Sequence, residues 1–387
     1  MSRDPEGELA ALLPRLIRET RIHFLDNLRS SLIALVIFHH AALPFGGVGS
    51  WPYSSPYHTP ESSLILSLFI AVNQTYFMAL LFFISGHWSA VAATNKTWDA
   101  FCLDKLKRLG IPVVVYTLLL HPLVLVLVRW SQHAAVVPAL VAYWSGLNGV
   151  RGPVWFIAVL LFFDLIYIAV RTCLPPFSFL LPTSAARFKV TAVVGISLVI
   201  VSSFLIRLSH PVGRASPPLE LQLAYAPQYV FAYISGTCLS YIQQYFLVSR
   251  PGRALVISYL VAILSITALA IPFKLTSHLF FGGANPVALF YAIWNELCFY
   301  FIGTALFSLF HDSEYATRRW GSTARYSYAA FLLHPIVVVA LQVLVDSSGG
   351  AALNGVIKTL AVGALGVCLS WAAGWAVVQI PGVGKII

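Results

Sequence analysis

Charge is what this 387-residue sequence is short of. Asp, Glu, Lys and Arg together make up 10%, against about 25% in an ordinary soluble domain. That scarcity excludes a water-soluble globule. Cysteine is sparse and unpaired as well: Cys102, Cys173, Cys238, Cys298 and Cys368 are scattered in or beside apolar runs, with no Cys-x-x-Cys pair. An odd number so spaced argues against a disulfide framework or a zinc site and leaves them as small apolar residues. The alternating segments of about ten residues that mark a membrane barrel are missing. No repeat or low-complexity tract stands out. A cleavable leader is missing too: residues 1–24 are polar, and the first apolar run is too long and too ionisable for one. It reads as a signal-anchor that stays.

What is present is hydrophobic. Apolar residues make up 59% and the mean hydropathy is +0.82. Runs of about twenty apolar residues recur from end to end, each long enough to cross a hydrocarbon core of ~30 Å. The expected fold is an all-α, polytopic transmembrane helical bundle. Its ten spans are 25–45, 62–90, 109–130, 153–174, 189–208, 225–247, 254–272, 286–310, 325–346 and 355–379. The piece 134–145 is too short to cross and reads as re-entrant or interfacial. The second span is long enough to demand tilt or a break. With the N-terminus in the cytosol, inward segments and the span ends beside them hold seventeen of the 24 Lys and Arg and the outward ones five (Arg129, Arg151, Arg207, Arg214 and Lys274), with Arg29 and Lys358 deeper inside spans. This positive-inside bias places both termini in the cytosol. The organisation is then a cytosolic segment 1–24, a membrane domain 25–379 and a short tail 380–387, in the endoplasmic reticulum or the plasma membrane. The formal charge of +10 reads as inner-face cations near anionic lipid, and no nucleic acid is expected. The outer loop 46–60, GGVGSWPYSSPYHTP, is aromatic, lacks Lys and Arg, and suits a lid.

Ionisable groups within such spans are costly, so they mark functional positions. Asp26 and Arg29 stand at i,i+3, where they can pair; an interfacial ion pair with a snorkelling arginine is the plainer reading. Arg29 and His40 are eleven residues apart, within about 20° of one helical stripe and about 16 Å apart along the axis. His39 points roughly 80° away and reads as a packing or interhelical hydrogen-bonding residue. His121 precedes Pro122 and suits carbonyls freed by a proline kink. Asp164 and Glu296 are either structurally paired or functional. His40 lies about 22 Å and Glu296 about 15 Å from opposite helix ends, so the two are similar in depth. His334 precedes Pro335 and reads equally as a kink partner or a second site residue.

The stretch LDNLRSSLIALVIFHH (25–40) resembles the first-helix signature of the acyltransferase-3 family, an Arg, ten residues, then a His, met here by Arg29 and His40. FFISG (82–86), KLKRLGIP (105–112), WFIAVLLFF (155–163), QYVFAYISG (228–236), AIWNE (292–296) and SYAAFLLHP (327–335) resemble further family segments in order. The texture is most similar to fungal and bacterial members near glucan-modifying acyltransferases. His87 after Ser-Gly and the doubled His39–His40 depart from the pattern. The resemblance implies transfer of an acyl group, acetyl first among candidates, from acyl-CoA as co-substrate to a hydroxyl of a small-molecule or glycan acceptor, with no metal. In that reading Arg29, Lys105 and Arg108 receive the nucleotide phosphates. His40 acts as general base, a carboxylate orients it with Glu296 favoured, and Ser85, Tyr328 or Trp155 steadies the oxyanion. Asp26, Asp164 and His334 complete the substrate-facing candidates. A covalent acyl-histidine stays open. The rival functions are a proton-coupled transporter and a membrane cyclase or isomerase using His/carboxylate chemistry.

Overall fold

The computed structural model describes residues 22–57, 59–173, 182–273, 278–349 and 352–387. Most of the polar N-terminal segment, with Arg3, Arg15, Arg18 and Arg21, therefore lies outside the described residues, as do His58 and Lys274. The described chain is an all-α bundle. Nine of its helical segments are long and apolar enough to cross a membrane. Helix α1 is His23–Ala42. The second segment is α2, Pro60–Gln74, followed after a break by α3, Phe77–Thr94. Next come α4, Trp98–Ser131, the short α5, Val136–Ser145, then α6, Val154–Cys173, and α7, Ala185–Arg207. A two-residue hairpin follows, β1 Ala215–Ser216 and β2 Leu221–Gln222. The chain then returns as α8, Ala226–Thr237, and α9, Leu239–Phe246. Four long helices close it: α10 Pro251–Phe273, α11 Pro286–Asp312, α12 Thr323–Ser347 and α13 Gly355–Val378.

Two expectations change and one, the break in the second span, holds. The span expected at 225–247 is split at Cys238 into α8 and α9, neither of crossing length alone. The long second span is broken at Thr75–Tyr76, as its length required. The third begins at Trp98, so Lys105, Lys107 and Arg108 are not loop residues but lie on the first turns of α4. A hydropathy window misses these turns because Asp99, Asp104, Lys105, Lys107 and Arg108 interrupt their apolar residues, although Phe101 is fully buried.

Local chemistry explains the starts. Thr59 caps α2, its Oγ1 accepting from Ser62 N at 3.3 Å, with Pro60 in the first turn. Asn285 does the same for α11 by accepting from Ala288 N at 2.9 Å. α7 and α10 expose Val193, Leu198, Leu260 and Leu264, the outward faces of helices that meet lipid. α1 is sunk in the core, with Leu25, Leu28, Leu32, Val36 and Ile37 buried among α11, α12, α13 and α3. α3 crosses α8 closely. A Cβ on Gly86 would overlap Tyr233 O, and one on Gly236 would overlap Phe83 O. The Ser-Gly of FFISG and the Ser-Gly of YISG thus bring two backbones together, as small residues do between membrane helices.

A candidate acyl-transfer site around two histidines

α12 contains a proline, Pro335, which has no N–H to give to Phe331 O four residues back. His334 takes that carbonyl instead, Nδ1 to Phe331 O at 2.6 Å. A carbonyl only accepts, so His334 Nδ1 carries the proton. A neutral His334 then offers Nε2 as a lone pair. His40 Nδ1 lies 2.8 Å from that Nε2, so His40 donates from Nδ1. The neutral His40 ring is left with its lone pair on Nε2. One missing backbone donor thereby sets the tautomer of two imidazoles in series. His334 is both kink partner and site residue.

The rest of the His40 surroundings comes from the Phe45 end of the bundle. Trp51, in the loop expected to act as a lid, stacks on His40 with ring centroids 4.3 Å apart and 19° between planes. Its Nε1 donates to Gln342 Oε1 at 2.8 Å, and Gln342 Nε2 donates to His40 O at 3.0 Å. Two residues on, Tyr53 donates to Asp346 Oδ2 at 2.8 Å. Burial, and then the Asp346 carboxylate, raise the Tyr53 phenol above its ordinary range. Asp346 also pairs at 2.7 Å with the fully buried Lys358, which lies over the rings of Phe45 and Tyr57. His334, Val338, Gln342 and Asp346 are each four residues apart, one stripe of α12 turned toward the loop. Lys358, read from sequence only as a cation inside a span, is therefore the anchor of this cover.

At the His23 end, Arg29 pairs with Asp26 at 3.2 Å and donates to Ala324 O at 3.3 Å. One turn along α12, Tyr328 Oη donates to Arg108 O at 2.8 Å. Arg29, Tyr328 and Arg108 are thus brought to one end, with the exposed Arg108 guanidinium held by Asp104 at 3.1 Å. Lys105 and Asp164, read separately as phosphate and substrate ligands, are bonded to each other at 2.8 Å. Ser89 and Tyr233 each donate to the buried Asp164 at 2.6 Å. That network ties α4, α3, α6 and α8 together and explains how an intramembrane carboxylate is tolerated.

Glu296 is placed elsewhere. Its Oε1 accepts from Ser203 and Asn295, each at 3.1 Å. Among the described residues no hydrogen bond joins it to His40. The orienting contact expected from a carboxylate is made by His334. Ser85, half-buried on α3, makes no hydrogen bond among the described residues. Trp155 packs on Tyr229 and Phe82, with ring centroids 5.7 and 6.3 Å away. His39 stacks on Phe77 at 4.8 Å, a packing residue as read. His121 does not cap a carbonyl. Thr117 O, in the π turn that precedes Pro122, takes Tyr143 Oη at 2.6 Å, and His121 stacks on Tyr143. An apolar cleft of about 710 Å³ between α3, α6, α7, α8 and α11 holds none of the candidate residues.

Sequence reasoning missed Trp51, Gln342 and the Asp346–Lys358 pair. The i,i+4 stripe of polar residues after His334 was the available signal.

Residues 22–375 match the family model for an acyltransferase domain, acyltransferase-3. No curated protein and no solved structure matches the chain. The match covers most of the sequence, so the chain belongs to the acyltransferase-3 family and is an integral-membrane acyltransferase.

Proposed function

We propose that this acyltransferase moves an acyl group, acetyl in the first instance, from acyl-CoA to a hydroxyl of a small-molecule or glycan acceptor, with His40 Nε2 as general base. The observation that carries the base assignment is the relay from Phe331 O through His334 to His40, which leaves the Nε2 lone pair of His40 unshared by His334. In the reaction Nε2 takes the acceptor hydroxyl proton as the oxygen bonds to the thioester carbonyl. The tetrahedral oxyanion collapses, the C–S bond breaks, and the thiolate leaves with the proton returned from His40. His334 shares the imidazolium charge meanwhile, a hydrogen bond that strengthens when one partner is ionised.

The positive-inside bias turns the His23 end to the cytosol. Arg29 and Arg108 stand there and suit the nucleotide phosphates of a cytosolic CoA donor. Arg29 and His40 are about 16 Å apart along α1, of the order of an extended pantetheine arm. Lys105 contributes through Asp164, as a strut that positions Arg108 on α4. Tyr328, between the two arginines, is the favoured substrate contact at that end.

Purified protein in detergent, given acetyl-CoA and a candidate alcohol, tests the reading by thiol release. His40→Ala should lose about 10²- to 10⁴-fold in kcat and still bind CoA. Unchanged turnover in that variant removes the base. The broken α2–α3 helix is the feature that favours a transporter. Alcohol-dependent thiol release without solute flux into liposomes excludes that second reading.

A further inference from the structure

Arg207, placed by sequence among the outer cations, ends α7 beneath the loops of the Phe45 side. Its side chain is fully buried, and among the described residues Nε, Nη1 and Nη2 have no hydrogen-bond partner. The guanidinium carbon lies 5.4 Å from the Tyr225 ring centroid and 5.2 Å from that of Tyr291. Two ring faces stabilise a cation, but they satisfy none of its N–H donors. Glu296 is equally buried, and among the described residues its Oε2 accepts no hydrogen bond. Gln228 spends its Nε2 on Thr75 O at 3.0 Å and leaves Oε1 unmatched, as Asn295 leaves Oδ1. Geometry brings these groups together: Ser203, one turn before Arg207 on α7, donates to Glu296 at 3.1 Å, and Tyr291, whose ring faces Arg207, stands five residues before Glu296 on α11; Gln228, on α8, follows Tyr225, the other ring. Unmet donors and unmet acceptors are therefore gathered where α7, α8 and α11 meet.

The charges decide what fits. An anion would be welcomed by Arg207 and repelled by the ionised form of Glu296; a cation would meet the reverse. A hydroxyl does both jobs, accepting from the guanidinium and donating to Oε2, and the shell's formal charges cancel. Tyrosine rings supply apolar walls for the carbon skeleton. The neighbouring backbone fits the same picture. The α2–α3 break at Thr75 is capped by Gln228, and irregular backbone at membrane depth is found inside protein or lining a polar cavity. Phe77, just past that break, stacks on His39 beside His40.

We propose that the space between Arg207 and Glu296 binds a neutral, hydroxyl-bearing ligand, the polar end of the acyl acceptor. The word acceptor rests on the acyl-transfer reading; the binding site does not. The test is thermal unfolding of the purified full chain in detergent, without donor, against three probes of one skeleton: trans-cyclohexane-1,2-diol, cyclohexanecarboxylate and cyclohexylammonium. In the wild type the diol should raise the unfolding temperature more than either ion. Glu296→Gln should shift the preference toward the carboxylate, and Arg207→Gln toward the ammonium. No shift with any probe in the wild type, or the same ranking in both variants, means the space holds water only and overturns the proposal. If Arg207→Gln does not fold, the wild-type ranking and Glu296→Gln decide alone. Absent thiol release with normal diol binding would instead refute acyl transfer and keep the site.

Discussion

Alanine at His334 separates two things the second imidazole does. In the resting protein its 2.8 Å contact with His40 is a neutral hydrogen bond, of net value about 1 kcal/mol. When His40 holds the acceptor's proton the same bond becomes charge-assisted, at about 1.5–3 kcal/mol. The difference, roughly 0.5–2 kcal/mol, corresponds to roughly 2- to 30-fold in kcat at 1.36 kcal/mol per tenfold. His334→Ala should therefore slow turnover by about tenfold, far less than His40→Ala. It should also destabilise the fold, since Phe331 O is left without the donor that Pro335 cannot supply, at about 1–3 kcal/mol. The double variant His334→Ala/Pro335→Ala restores an N–H to Phe331 O. Thiol-release kinetics and unfolding temperature, measured on the same preparations, should then diverge: stability recovers and the rate does not. Recovery of both would show that the rate loss was a folding loss, and the relay would be refuted. A rate in the single variant as low as that of His40→Ala would refute it differently, by making His334 the base.

Arg29→Ala should raise the KM for the CoA donor with a smaller effect on kcat, read from donor saturation curves; an unchanged donor KM would detach Arg29 from the phosphates. Gly86→Leu or Gly236→Leu should destabilise by about 1–3 kcal/mol or more through overpacking, because each Cβ meets a backbone carbonyl on the other helix. A normal unfolding temperature in either would contradict the close crossing. Asp346→Leu alone strands the buried Lys358 and should cost about 3–5 kcal/mol, whereas Asp346→Leu/Lys358→Met removes both charges and should recover most of it. A double variant no better than the single would mean the pair is not what holds the loop.

How much of this was legible in the sequence follows from which coordinate a residue pattern encodes. Helical phase and depth along the membrane normal are readable, because 1.5 Å and 100° per residue are constants of the helix. So the spans, the Asp26–Arg29 pair and the Arg29–His40 stripe could be placed. Lateral neighbours are set by packing between distant segments, and no periodicity records them. Glu296 had a depth close to that of His40 and was matched to it for that reason, yet it bonds to Ser203 on α7. Lys105 and Asp164 looked like two functional charges because their 2.8 Å pairing crosses between helices α4 and α6. Arg207 was counted among outward cations because it stands at a span's end, where only burial by the overlying loops distinguishes an interior guanidinium from a surface one.

Prolines supply the local rule that sequence reading came nearest to. Pro335 leaves Phe331 O without its helical donor, and two further carbonyls, Arg108 O and Thr117 O, lie in the π turns that precede Pro112 and Pro122; each is taken by a ring side chain, Phe331 O by His334, Arg108 O by Tyr328 and Thr117 O by Tyr143. Burial differs along that series. His334 is fully buried, Tyr143 is half-buried over a buried Thr117, and Arg108 is exposed. A carbonyl deprived of its donor costs most where water cannot replace it. Destabilisation should therefore fall in the order His334→Ala, Tyr143→Phe, Tyr328→Phe, with the last within about 1 kcal/mol of wild type. Unfolding temperatures of the three variants in one detergent decide it. If Tyr328→Phe proved the most damaging, the Arg108 carbonyl would have to be sealed from water, and the His23 end of the bundle could not be the open approach that a CoA donor requires.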